Sequence, residues 1–90
     1  MKLQDIAEAT AEHYGTTVEA MCGYSRLPED VRPRQVYCFL ADKWTDESKS
    51  QIGRIIRRDH TTVTSSLARV AEYDISAEVA AIECVACIDW

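Results

Sequence analysis

Arg57-Arg58-Asp59-His60-Thr61-Thr62-Val63 reads as a charged turn running into the first turn of a helix. Asp59 suits an N-cap, because its carboxylate accepts backbone N–H groups that the first helical turn leaves without partners. Behind it Val63, Leu67 and Val70 recur at helical spacing and predict a stripe facing a core. The opposite face carries His60, Thr61, Thr64, Ser65, Ala68 and Arg69. Those side chains are short and form hydrogen bonds, and they begin beside two arginines. A helix facing solvent would ordinarily present longer Glu and Lys side chains. The pattern suits the groove of an anionic duplex.

Upstream, Ser48 and Gln51 form a capping box that opens another helix, with Ile52, Ile55 and Ile56 directed inward. Gly53 inside that helix costs ~1 kcal/mol relative to Ala, which predicts a close approach by a neighbour. The two-residue connection Arg57-Arg58 gives this helix pair the proportions of a helix-turn-helix. Nearer the N-terminus, Leu3, Ile6, Ala7, Thr10, Ala11 and Tyr14 line one face of a first helix that stops at Gly15. Thr16-Thr17-Val18-Glu19 reads as a capping box for a short second helix through about Cys22, and Gly23 to Asp30 as a loop. Pro33 is expected near the start of a third helix, where its missing N–H costs nothing, with Val36, Phe39, Leu40 and Trp44 on the core face. After Tyr73-Asp74, Ser76 is expected to cap a last helix running to about Ile88.

With three Gly, two Pro and no strand-like alternation, the expectation is an all-α fold. It would be a small helical bundle of about six helices containing a helix-turn-helix. Ninety residues make one domain, spanning 1–90. Hydrophobic content of 47% and charged content of 28% are those of an ordinary soluble globular chain.

The net charge of −5 argues at first against nucleic acid, but its distribution reverses that reading. Residues 1–25 carry one base and four acids, and residues 70–90 carry five acids and no base. Residues 49–69 carry Lys49, Arg54, Arg57, Arg58 and Arg69 against Asp59 alone, a local charge of +4. Binding follows the local patch, while bulk charge tunes solubility and long-range steering. The four cysteines, Cys22, Cys38, Cys84 and Cys87, do not form a disulfide pattern, and with Asp5 and Glu8 interrupting the N-terminal stretch neither a secretory signal nor a membrane span is expected. A reduced cytoplasmic, nucleoid-associated setting is expected.

Together these residues identify a family. The stretch from Leu3 to about Tyr73 resembles the C-terminal DNA-binding domain of the bacterial replication initiator DnaA. The resemblance rests on Tyr14-Gly15 followed by Val18-Glu19, on Arg32-Pro33-Arg34-Gln35, on Ile52-Gly53, and above all on Arg58-Asp59-His60-Thr61-Thr62-Val63. The helix over 76–88 is additional. In that family a helix-turn-helix binds a short asymmetric duplex site, the DnaA box. By resemblance Asp59, His60, Thr61 and Thr62 read base edges, joined by Thr64 and Ser65 in the second turn. Arg34 and Gln35 hold the phosphate backbone from the third helix, and Arg26 reaches into the minor groove. Lys49, Ser50, Arg57, Arg58 and Arg69 complete the phosphate contacts. The chemistry agrees independently, since a carboxylate accepts from the cytosine amino group and a Thr methyl packs on the thymine methyl.

The chain also departs from the family pattern. These 90 residues include no ATPase module, the basic loop keeps only Arg26 while gaining Glu29 and Asp30, and Asp42 and Asp46 add acid. Thr64-Ser65-Ser66 replaces the family's Leu-His-Ala, and the glycine-containing turn has become Arg57-Arg58, one residue shorter.

Plainer roles remain open for several of these residues. Asp59 caps its helix in either case, Arg57 and Arg58 could form a solvated turn, and Arg32 could pair with an acid or a helix terminus. Cys84-x-x-Cys87 has the spacing of zinc ligands, but a lone pair within an apolar helix reads as small core hydrophobes. The set Ile75, Val79, Ile82, Val85, Ala86 and Ile88 either completes the core or forms a dimer seam with Trp90. The partner expected is double-stranded DNA, with no cofactor, metal, membrane or small-molecule substrate. Replication initiation or its regulation is the expected role. Two alternatives stand beside it: a small transcriptional repressor using the same helix-turn-helix, or a mimic of the domain acting only through protein contacts. The acidic C-terminal helix is the expected route to a protein partner or to self-association. If Arg26, Arg34, Lys49, Arg57, Arg58 and Arg69 all meet phosphates, log affinity against log salt should fall with a slope of about −5. No glycine-rich phosphate loop or acid–base pair suggests catalysis.

Overall fold

The computed structural model describes residues 2–23, 28–72 and 76–86, with side chains for 2–23, 31–72 and 77–82. The elements run α1 (Leu3–His13), α2 (Val18–Cys22), α3 (Pro28–Trp44), α4 (Lys49–Ile55), α5 (His60–Val70) and α6 (Ser76–Ala86). Among the described residues there is no strand. The all-α bundle of six helices is the expected architecture.

The first helix ends as Gly15 requires. Gly15 adopts φ +68°, a left-handed conformation that costs glycine nothing. Its N–H bonds to Glu12 O, and the Thr16 N–H bonds to Ala11 O at 2.9 Å, closing a Schellman motif. That closure moves the next cap by one residue. The backbone of Thr16 closes α1, and Thr17, not Thr16, caps α2, its hydroxyl accepting from the Ala20 N–H at 3.1 Å. The expected box with Glu19 therefore does not form in that register.

The third helix also starts earlier than expected. Pro28 takes the first helical position, and Pro33 lies inside the helix. Pro33 stands three and four residues before Val36 and Tyr37, and all three are fully buried. Packing on that face holds the helix together across the missing N–H. Most sides of α3 are covered, since Val36, Tyr37, Cys38, Leu40 and Ala41 are buried while Phe39 and Trp44 pack at the margin. The Tyr37 hydroxyl donates to Ile52 O at 2.9 Å, linking α3 to α4, and burial raises its pKa. Burial likewise pushes the Cys38 thiol up to about 12, opposed in part by the Ser66 hydroxyl beside it.

Around α3 the core collects Ile6 and Ala7 of α1, Met21 of α2, Ile52 of α4, Ile56 just after it, and Val63 of α5. Each fully buried Ile or Val contributes about 1.5–3 kcal/mol relative to exposure. The last helix packs on α1, with Ile82 fully buried and Val79 at the margin. Those two residues belong to the core rather than to a dimer seam. Ile75, Cys87, Ile88 and Trp90 lie outside the described residues, as do the side chains of Cys84, Val85 and Ala86. One ion pair joins α6 to α3, from Arg32 Nη2 to Glu78 Oε1 at 3.7 Å. No helix among the described residues is long and apolar enough to cross a membrane.

Candidate nucleic-acid interface

The helix-turn-helix is built from local signals. Ser48 and Gln51 form the full capping box at the start of α4, with each side chain bonded to the other's backbone N–H. The helix closes with a second Schellman motif, in which Arg57 N–H bonds to Arg54 O and Arg58 N–H bonds to Gly53 O at 2.8 Å. Arg57 holds the left-handed position at φ +56°, a conformation unfavourable for any residue with a β-carbon. Asp59 then caps α5, its Oδ1 accepting from the Thr62 N–H at 2.9 Å. The backbone N–H of Thr62 is the main reason the Asp59 carboxyl titrates below its ordinary range.

These closures orient α5. Val63, Ser66 and Val70 are buried, and Leu67 packs at the core margin. His60, Thr61, Thr64, Ser65, Ala68 and Arg69 are exposed along one continuous face. Thr64 Oγ1 donates to His60 O at 3.0 Å, so its hydroxyl presents acceptor lone pairs outward. α5 ends at Val70, and Ala71 caps it.

Beside this face a groove of about 300 Å³ runs between α5 and the first half of α3. Arg34 and Gln35 line one wall, and Arg58, Thr61, Thr62, Ser65 and Arg69 line the floor and the other wall. Seven of the residues singled out from sequence thus share one concavity. Asp59, His60 and Thr64 lie on or at the start of α5 outside it. Lys49 and Ser50 are exposed on the first turn of α4. Arg57 is also exposed, but it lines a separate depression with Gln4, Glu19, Cys22 and Arg54. Lys49, Arg57 and Arg69 form no ion pair with another described residue. Arg26 lies outside the described residues. Among them no cluster of His, Cys, Asp or Glu could hold a metal.

Two of the arginines lining the groove are engaged within the fold. Arg34 is only 9% exposed, and its Nη1 donates to Met21 O at 3.3 Å and to Gly23 O at 3.1 Å. Arg58 is half-buried, and its guanidinium donates to Cys22 O, Gly23 O, Ile56 O and Arg57 O. The resemblance assigns Arg34 to phosphates and the charge pattern assigns Arg58 to them; in the structure both guanidiniums donate to backbone carbonyls. The periodicity carried a signal for Arg34. It shares a helical face with Tyr37, Cys38 and Ala41, at spacings of three, four and seven. Ser66 is a further residue that the pattern does not reveal, a polar side chain of α5 buried against α3.

Comparison with known proteins places this geometry in context. Residues 3–70 match the family described as bacterial dnaA protein helix-turn-helix. The chain is 36% identical to the chromosomal replication initiator protein DnaA of Deinococcus radiodurans over 72 residues, covering 80% of this chain and 16% of that protein. It is 40% identical over 67 residues to DnaA 1 of Chlamydia trachomatis, covering 74% and 15%. It is 38% identical over 74 residues to DnaA of Roseobacter denitrificans, covering 81% and 16%. The chain therefore matches about one sixth of the length of these relatives, and α6 lies beyond the family match.

Proposed function

This chain belongs to the bacterial DnaA helix-turn-helix family, and from that premise we propose that it binds double-stranded DNA in replication initiation or its regulation. The outer face of α5 enters the major groove at a short asymmetric site of the DnaA-box kind. Asp59, His60, Thr61, Thr64 and Ser65 meet base edges, and Thr62 meets them from the rim of the groove. Lys49, Ser50, Gln35 and Arg69 meet the phosphate backbone, with Arg57 and Arg26 at its margins. Residues 1–90 act as one domain in which α6 completes the bundle.

The observation that carries this reading is the continuous exposed row on α5, mostly short side chains with the hydroxyls of Thr61, Thr64 and Ser65 at its centre, flanked by a groove bearing arginines. Such a row permits close approach of a helix to base edges, where each good pairing discriminates by about 1–3 kcal/mol. With Arg34 and Arg58 engaged in the fold, four cations remain for phosphates. The salt slope then becomes roughly −3 to −4 rather than −5.

Selection from a random duplex library, followed by anisotropy titrations across salt concentrations, tests the proposal. An enriched asymmetric sequence with that slope supports it. If no duplex binds at low salt, the reading fails and a mimic acting through protein contacts replaces it.

A further inference from the structure

The short helix α2 ends on carbonyls that no further turn of helix can satisfy. Met21 O and Gly23 O accept from Arg34 of α3, and Cys22 O and Gly23 O accept from Arg58 of the turn before α5. A third link runs alongside, from the Cys22 thiol to Ile55 O at the end of α4, at 3.3 Å. The end of α2, the end of α4 and the start of α5 therefore meet around one guanidinium. Arg58 also bonds Ile56 O and Arg57 O within its own turn, so its fork bridges the two sides of the junction. Gly23 is the last described residue before the segment that carries Arg26.

We propose that Arg58 is a positioning residue, which fixes the start of the recognition helix to the end of α2 through forked bonds to backbone carbonyls. This rests on the DNA-binding reading. In that setting Arg58 sets the register between the base-reading face of α5 and the end of α2, and it is not itself a phosphate ligand. The planar guanidinium supplies several donors in a fixed fork, while an ammonium is a point charge with a different reach. Arg58→Lys therefore keeps the charge and loses the clasp.

The test compares Arg58→Lys and Arg58→Met with Arg69→Met, a change to an exposed arginine of the same groove. Without DNA, labelling of Cys22 in the whole chain is followed by mass spectrometry. Both Arg58 variants should label about tenfold faster than wild type, the effect of losing one charge-assisted hydrogen bond. Arg69→Met should leave the rate unchanged. With DNA, both Arg58 variants should lose preference for the selected site over random duplex and keep the wild-type salt slope. Arg69→Met should reduce the magnitude of the slope by about 0.9. The inference is overturned if Arg58→Lys restores wild-type binding, if Arg58→Met lowers the slope as Arg69→Met does, or if Cys22 labels no faster. If the wild type binds no duplex, the functional reading fails, and the labelling comparison alone decides whether Arg58 fixes α2.

Discussion

A methyl group on the Gly53 α-carbon would stand 2.4 Å from the carbonyl oxygen of Arg58. The two residues also share a backbone hydrogen bond of 2.8 Å, so the helix-turn-helix closes with its strands of chain in contact. Because the obstructing atom is backbone, it cannot swing aside. Gly53→Ala is expected to lower stability by about 3 kcal/mol, the upper part of the overpacking range. Urea unfolding measures this, and an unchanged midpoint would refute the close approach.

Arg57 occupies the left-handed position of the same turn. Arg57→Gly removes the clash of a β-carbon there and should stabilise the fold by about 0.5–1 kcal/mol, since glycine's larger unfolded entropy offsets part of the gain. Arg57→Val, branched at that carbon, should destabilise it. Thermal unfolding of the pair decides the matter, and both variants shifting the same way would contradict the assignment.

The Asp59 carboxyl titrates below its ordinary value of 3.8 because the Thr62 N–H favours its charged form. A depressed folded pKa adds stability that is present above the unfolded value and is lost as pH falls through the folded one. Asparagine also caps helices but does not titrate. Between about pH 5 and pH 2 the wild type should therefore lose more stability than Asp59→Asn. The other acids contribute equally to both proteins and cancel. Parallel melting-temperature profiles would exclude the linkage.

Exposed groups of α5 should divide by what they touch. His60→Ala and Thr62→Ala should each relax preference at a single base pair and cost on the order of 1–3 kcal/mol. Arg69→Ala should weaken all duplexes alike. Binding-site selection repeated with each variant distinguishes them, and an unchanged site for His60→Ala would mean that the helix is oriented otherwise.

At the other end of the molecule, Ile82 is fully buried against the core. Ile82→Ala should cost about 2–5 kcal/mol. The neighbouring Arg32–Glu78 pair spans 3.7 Å with Arg32 41% exposed, so Glu78→Gln should change stability by less than about 1 kcal/mol. A larger loss from Glu78→Gln than from Ile82→Ala would place the attachment of α6 in charge rather than in packing.

Features set by neighbours within a single turn were legible in the sequence. The Ser48–Gln51 box, the Asp59 cap, the Gly15 stop and the need for glycine at 53 all depend on residues a few positions apart. The split of α5 into buried and exposed faces followed from its periodicity. Features set by competition were harder to read. Thr16 and Thr17 are equally good caps until the ending of α1 claims one of them. Pro28 and Pro33 both suit a helix start, and burial of Pro33 decides between them. The bonds of Arg34 and Arg58 to carbonyls were not legible, because a charge pattern records how many cations a segment carries and not which atoms they face. Carbonyls at the end of α2, distant in sequence, were waiting for both.

The stubby hydroxyl side chains along the outer face of α5 have a thermodynamic consequence. Serine and threonine surrender little torsional freedom when covered, whereas each immobilised lysine or arginine forfeits about 1.5–2 kcal/mol. Whatever lies against Thr61, Thr64 and Ser65 meets side chains with little freedom left to lose. Their oxygens sit close to the helix axis, so only a contour deep enough to embrace the backbone itself can make contact along the full row.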